Sequence, residues 1–153
     1  MNAAPTVRPV DRDDRAAWLP LWAGYNAFYE RAGPTALDPR ITEQTWNRFF
    51  DPASGMRAFV AELDGRVVGL VHCVFHRSTS RLADVCYLQD LFTDASCRGR
   101  GVGRALIQQV IDLASEAGSS RVYWSTHTTN AAGRALYDKM AENRGFIIYT
   151  HEL

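Results

Sequence analysis

The stretch Arg98-Gly99-Arg100-Gly101-Val102-Gly103-Arg104 decides the reading of this chain. It follows an apolar run over 85–92 and opens a helical pattern that continues to about Gly118. Glycine at alternate positions leaves a backbone that can pass through φ > 0 and turn successive N–H groups toward one point. The helix beginning there adds amides without intrahelical acceptors and the positive end of its dipole. Together these form a receptor for phosphate, and Arg98, Arg100 and Arg104 supply mobile positive charge around it.

Two common phosphate loops do not fit. A P-loop needs a Gly-Lys-Ser/Thr ending, and the single lysine of the chain is Lys139. A dinucleotide fingerprint needs a third Gly or Ala where Leu106 stands, and an acid near Arg121, where there is none. What remains is Arg-x-x-Gly-x-Gly, carried by Arg98, Gly101 and Gly103, or else a plain glycine-rich strand-to-helix turn.

A chain of 153 residues suits one domain, 1–153, with a single core. Hydrophobic residues make up 46% and charged residues 22%, an ordinary globular balance. Lys+Arg and Asp+Glu both number 17, so nothing in the net charge points to nucleic acid, and any preference for a cationic substrate must be local. The N-terminus lacks an apolar signal core, and no run reaches membrane-spanning length. Cys73, Cys86 and Cys97 have neither metal-ligand spacing nor an even count, which predicts no metal site, no disulfide framework and a reduced, cytoplasmic setting.

Residues 6–10 read as a first strand, with Asp11 or Asp13 capping a helix that runs to about Arg31. That helix carries Trp18, Leu21, Trp22, Tyr25, Phe28 and Tyr29 on one broad face, and Pro20 predicts an early kink or restart. A second helix, capped near Thr42, shows Trp46, Phe49 and Phe50 before Asp51-Pro52 stops it. The aromatic density reads as core packing, with some rings available to line an acceptor pocket.

Strands over 56–63 and 66–75 form a hairpin through Asp64-Gly65, and 82–93 is a third long strand buried on both faces. After the glycine loop, Leu106, Val110 and Leu113 face the sheet and Gly118 caps the helix. A short strand over 121–126, a helix from Asn130 through Glu142 and a last strand over 146–151 complete the chain. The order is β-α-α-β-β-β-α-β-α-β: a mixed α/β sheet, antiparallel in its first half and parallel beyond Thr93. Where its central strands part, exposed edges can bond a ligand's amides.

The segment Leu88-Gln89-Asp90-Leu91-Phe92-Thr93, followed by the glycine loop, resembles the central cofactor motif of the GNAT acyltransferase superfamily. Asn130-Ala131-Ala132-Gly133-Arg134-Ala135-Leu136-Tyr137 resembles the later motif of that family, Asn-x-x-Ala-x-x-Leu-Tyr, with Gly133 in place of Ala. The aromatic N-terminal helices and Trp124-x-Thr126-His127 are similar to the yeast Hpa group and to diamine acetyltransferases. The resemblance implies a GNAT-like sheet with splayed central strands, acetyl-CoA as cofactor and acetyl transfer by direct attack of a primary amine. That amine would belong to a polyamine, an amino acid or a basic protein tail. It also implies that main-chain groups of Leu91 and Thr93, flanking Phe92, pair with pantetheine. The amides of Arg98, Gly99, Arg100, Gly101, Val102, Gly103 and Arg104 would hold the pyrophosphate, the Asn130 side chain would meet the cofactor, and Tyr137 would be the general acid.

The chemistry sets three demands. The amine must be neutral, although an alkylammonium has a pKa of about 10.4. Charge developing on the carbonyl oxygen needs a donor, which a main-chain N–H near Leu91 can supply. The departing sulfur benefits from a proton, which a phenol can give. Tyr137 lies two helical turns from Asn130 on one face; its alternative is a core tyrosine beside Leu136 and Met140.

Asp90, an acid in an apolar strand, is either a base or ammonium anchor, or a structural cap or ion-pair partner. Diamine acetyltransferases have Glu-Asp where this chain has Gln89-Asp90; Gln89 cannot accept a proton, so deprotonation relayed by water stays open. His127 either touches substrate or cofactor, or bonds a loop carbonyl, whereas His72, His76 and His151 lack any partner pattern. A covalent route through Cys86 or Cys97 lacks a recognisable histidine partner. Arg134 reaches a cofactor phosphate or lies on a solvated face.

Many relatives carry two strands after the tyrosine helix, where this chain has only 146–151. The last sheet position is therefore empty or filled by a neighbouring subunit, and an edge bearing Phe146-Ile147-Ile148-Tyr149 predicts a homodimer. Two other classes remain: a non-catalytic CoA-binding sensor, favoured by Gln89, and an interaction domain with an incidental glycine loop.

Overall fold

A computed structural model describes residues 3–153. Five strands form one sheet: β1 (Thr6–Pro9), β2 (Met56–Leu63), β3 (Arg66–His76), β4 (Val85–Thr93) and β5 (Val122–Tyr123). They lie side by side in chain order, antiparallel from β1 to β4, with β5 parallel to β4. The helices are α1 (Arg15–Phe28), α2 (Pro39–Arg48), α3 (Val102–Glu116) and α4 (Ala131–Tyr137). The β2–β3 hairpin forms as the Asp64-Gly65 pair predicts, both residues at positive φ, 52° and 77°.

Alternation along the strands separates two cores. Phe59, Val71 and Leu88 point to the face covered by Val102, Leu106, Ile107 and Val110 of α3. Ala58 and Leu70 point to the other, where α1 and α2 deliver Trp18, Trp22, Trp46 and Phe49. At Gly69 α3 packs closely on β3: a Cβ there would stand 2.8 Å from Val102 Cγ1 and 3.2 Å from the Phe92 carbonyl oxygen.

Several boundaries differ from the sequence expectation. The helix α1 continues through Pro20 rather than restarting there, with the bond to the carbonyl four residues back removed. The start of α2 is Pro39, with Asp38 accepting from the Arg40 N–H; Thr42 instead accepts a 3.0 Å bond from Trp22 Nε1. Pro at the first helical position and Asp before it outcompete the threonine. The third strand begins at Val85 rather than 82, and the strand over 121–126 contracts to Val122–Tyr123. The tyrosine helix ends at Tyr137 instead of Glu142.

The last strand, 146–151, does not form. Phe146 and Tyr149 are 87% and 89% exposed. With β5 only two residues long, a strand laid beside it would gain too few ladder bonds to be held.

The opening of the sheet has a local cause. Cys73 pairs with Leu88 but His72 pairs with Asp90, so Gln89 is an extra residue, a β-bulge. A bulge bends its strand and increases its twist. The parallel pairing of β4 with β5 covers Cys86↔Val122 and Tyr87↔Tyr123 and ends just before it. From Leu88 to Thr93 the outer edge of β4 has no strand beside it among the described residues.

Candidate active site

The strand β4 flows through a short turn (Ala95–Cys97) into the glycine loop and α3. Gly99 and Gly101 both take positive φ, 77° and 83°, and Gly101 serves as the N-cap with no side chain to close the helix end. The first backbone bond of the helix joins the Ala105 N–H to the Gly101 oxygen at 3.0 Å. Among the described residues, the amides from Arg98 to Arg104 donate to nothing within the protein. Unpaired amides at the N-terminus of a helix are groups that suit a diphosphate.

The charged side chains around it are partly engaged. Arg98 Nε donates to the Thr93 oxygen at 3.3 Å, and its guanidinium lies 5.7 Å from the Phe92 ring centre. Arg100 bonds Asp64 of the hairpin turn at 3.1 Å, while its Nε is buried with no partner. Arg104 is exposed.

The free edge of β4 leads from this loop to a cavity lined by Tyr25, Tyr29, Gln89, Leu91, Trp124 and Tyr137, with Leu88, Ile107 and Ser125 completing it. The structure places Leu91 and Tyr137 in the lining of one cavity, while the glycine loop lies at the far end of β4 and is not part of that lining. Tyr137 packs edge-on against Trp124, ring centres 5.7 Å apart. Burial, and then the proximity of Tyr29, pushes its phenol above the usual 10.0, so it stays a proton donor throughout the neutral range. The aromatic helices divide between the two expected roles: Trp18, Trp22 and Trp46 fill the core, while Tyr25 and Tyr29 line the cavity.

Asn130 caps α4, accepting from the Gly133 N–H at 3.2 Å and donating to Thr126 Oγ1 at 2.9 Å. A Cβ at residue 133 would collide with that side chain, which gives Gly133 a structural reason to replace alanine. Arg134 donates to the Thr128 carbonyl at 2.8 Å, a loop-bracing role. His127 stands exposed at the rim, its ring 5.8 Å from that of Tyr29. Cys86 and Cys97 are buried and line no part of the cavity.

Asp90 has a partner that the sequence reading missed. Asp90 Oδ2 lies 2.8 Å from His72 Nδ1, and His72 Nε2 lies 3.0 Å from Trp18 Nε1. Since the indole can only donate, Nε2 must accept, which puts the ring proton on Nδ1 and directs it to the carboxylate. The relay Trp18→His72→Asp90 is buried throughout, with His72 3% and Asp90 8% exposed. Nothing local announces it, because the pairing depends on strand register across the bulge. Tyr25 stands over it: burial first, then the Asp90 charge, raises its phenol well above the usual 10.0, and its hydroxyl donates to the Gln89 carbonyl at 3.4 Å.

Replacing His72 with Leu strands a buried indole N–H and a buried carboxylate. His72→Leu is expected to cost about 3 kcal/mol in urea unfolding. His72→Leu with Asp90→Leu should cost less than His72→Leu alone; an equal or greater loss would show that the ion is not the problem.

The chain belongs to the acetyltransferase (GNAT) family, which it matches over residues 18–141. It is 32% identical over 152 residues to the D-amino-acid N-acetyltransferase HPA3 of Saccharomyces cerevisiae, covering 97% of this chain and 91% of that one. Two solved structures share the fold. The ribosomal-protein-alanine N-acetyltransferase of Brucella melitensis superposes with a TM-score of 0.79 at 20% identity, covering 99% of this chain and 100% of that one. AAC(6')-Iy in complex with a bisubstrate analog, CoA-S-monomethyl-acetylneamine, gives 0.80 at 17% identity, covering 99% of each chain. The protein is an acetyl-CoA-dependent N-acetyltransferase. Unpaired loop amides, the free β4 edge and the orphaned Arg100 Nε fit such a cofactor, which brings an activated acetyl thioester. No helix among the described residues is long and apolar enough to cross a membrane.

Proposed function

We propose that the 153 residues act as one acetyltransferase domain that acetylates a primary amine by direct attack. The observation that carries this reading is the continuity from the unpaired amides of the glycine loop, along the unpaired β4 edge, to a cavity holding a protonated phenol. The loop amides from Arg98 to Arg104 hold the diphosphate, and main-chain groups of Leu91 and Thr93, beside Phe92, align the pantetheine amides. An N–H at the bulged strand near Leu91 stabilises negative charge on the carbonyl oxygen. Tyr137 hands its phenolic proton to the leaving sulfur. Asn130 and Arg134 act behind this by fixing α4, from which Tyr137 projects.

Asp90, oriented by its 2.8 Å bond to His72, draws the acceptor ammonium toward the cavity wall that Tyr25 forms. Deprotonation then passes to water, since Gln89 cannot accept a proton. Among the acceptors considered, the relative HPA3, named for D-amino acids, supports an amino acid over a polyamine or a basic tail.

The test is thiol release from acetyl-CoA across a panel of amino acids, polyamines and basic peptides. Turnover with at least one is expected. Silence across the panel, in protein shown to bind CoA, would favour the sensor reading that Gln89 suggests.

We further place the protein in the reducing cytoplasm, in keeping with free, buried Cys73, Cys86 and Cys97. We also read it as a homodimer. Phe146, Ile147, Ile148 and Tyr149 are exposed with no strand beside them, while the far edge of β5 is unpaired. A second copy would cover these apolar side chains by packing against them, which the short β5 edge cannot do by strand pairing alone. Sedimentation should give a dimer that Ile148→Asp dissociates; a wild-type monomer at tens of micromolar would contradict this.

A further inference from the structure

We propose that Arg31 reads a carboxylate on the acceptor, so that the acetylated amine belongs to a small molecule carrying both an amino group and a carboxylate; this rests on the acetyltransfer reading above. After α1 the chain reverses through Glu30 at a φ of 61° and brings Arg31 back toward its own helix. Two bonds then fasten it to one residue. The Arg31 N–H donates to the Asn26 carbonyl at 2.8 Å, and Arg31 Nε donates to Asn26 Oδ1 at 2.8 Å. Asn26 is itself 5% exposed and anchored by its Nδ2 to the Trp22 oxygen at 2.9 Å. A long, flexible side chain is thereby fixed before any ligand arrives.

What this anchoring leaves over is the outer edge of the guanidinium. Nη1 and Nη2 have no hydrogen-bond or ion-pair partner among the described residues. The guanidinium carbon lies 5.7 Å from the ring centre of Tyr25 and 5.4 Å from that of Tyr29, the two tyrosines of the cavity wall. A planar, permanently charged fork held beside an aromatic wall suits a carboxylate in both charge and shape.

The surrounding charges sharpen the choice. No residue lining the cavity is charged, and Asp90 behind it is already bonded to His72. The spare ammonium groups of a polyamine would find no carboxylate in the lining and would meet the Arg31 cation. An amino acid offers one positive group for the Asp90 side and one negative group for Arg31.

The test compares kcat/KM at saturating acetyl-CoA for D- and L-phenylalanine against 2-phenylethylamine, and for D- and L-lysine against 1,5-diaminopentane. These pairs differ by the carboxylate. At least one amino acid is expected to exceed its decarboxylated partner by about tenfold or more. Arg31→Gln should collapse that ratio toward one through the amino-acid KM, with Arg31→Lys, which keeps the charge without the fork, in between. A ratio near or below one in the wild type, or a ratio that survives Arg31→Gln, overturns this inference alone. Absence of product from every acceptor, with acetyl-CoA bound, overturns the acetyltransfer reading and this inference with it.

Discussion

Tyr137→Phe is expected to lower kcat about 100-fold while leaving CoA affinity within about twofold. The substitution removes one oxygen and keeps the ring that packs edge-on against Trp124 at 5.7 Å, so the cavity wall survives. What goes is the proton for the departing sulfur. The pH dependence follows from the same burial. A proton donor serves while protonated, and the Tyr137 phenol lies above 10.0, so its contribution is complete below that pH and is lost only above it. The amine has the opposite requirement, because its neutral fraction grows toward about pH 10. kcat/KM should therefore rise from neutral to mildly alkaline pH, with any fall confined to the range above 10. A fall at about pH 8 that Tyr137→Phe abolished would mean that this phenol ionises far too early for an acid. Equal loss of turnover and CoA affinity would make the residue structural.

The second large effect concerns the glycine loop. Gly99 and Gly101 lie at φ values of 77° and 83°, and a Cβ on either would meet nothing within 4 Å. Alanine there is penalised by its backbone conformation rather than by collision, at about 1 kcal/mol or more per position. The double substitution Gly99→Ala with Gly101→Ala should thus weaken CoA binding by about 30-fold as the loop leaves the conformation that converges its amides. The urea midpoint should move little, because both positions are exposed or nearly so. Arg98→Gln and Arg104→Gln should each cost less than about fivefold, with most of that cost removed by salt. Calorimetry that ranked the arginines above the glycines would reverse the account.

The elements legible in the sequence are those whose information is local. Asp64-Gly65 specifies its own turn, and Arg98 to Gly103 specifies its own φ signs and the free helix end that follows. Asn130 and Tyr137 share a helix face whatever the rest of the chain does. What stayed hidden depends on register and on partners. His72 and Asp90 meet across β3 and β4 only because Gln89 bulges out of the ladder, which no pattern in either strand reveals. Arg31 reaches the cavity wall through a left-handed Glu30 and a buried Asn26, two residues that look unremarkable in the sequence. The strand expected over 146–151 has the right composition and no adequate edge to join, because β5 is two residues long. Composition proposes a strand; a neighbour of sufficient length makes one.

The central claim is that main-chain amides, more than charged side chains, grip the diphosphate beside the opened sheet. Titration of CoA into 15N-labelled protein, followed by amide proton shifts, tests it most directly. The account predicts large downfield shifts for the Gly99, Gly101 and Gly103 amides, as they gain anionic acceptors, at CoA concentrations that saturate binding. Saturation with those three resonances unmoved would contradict it.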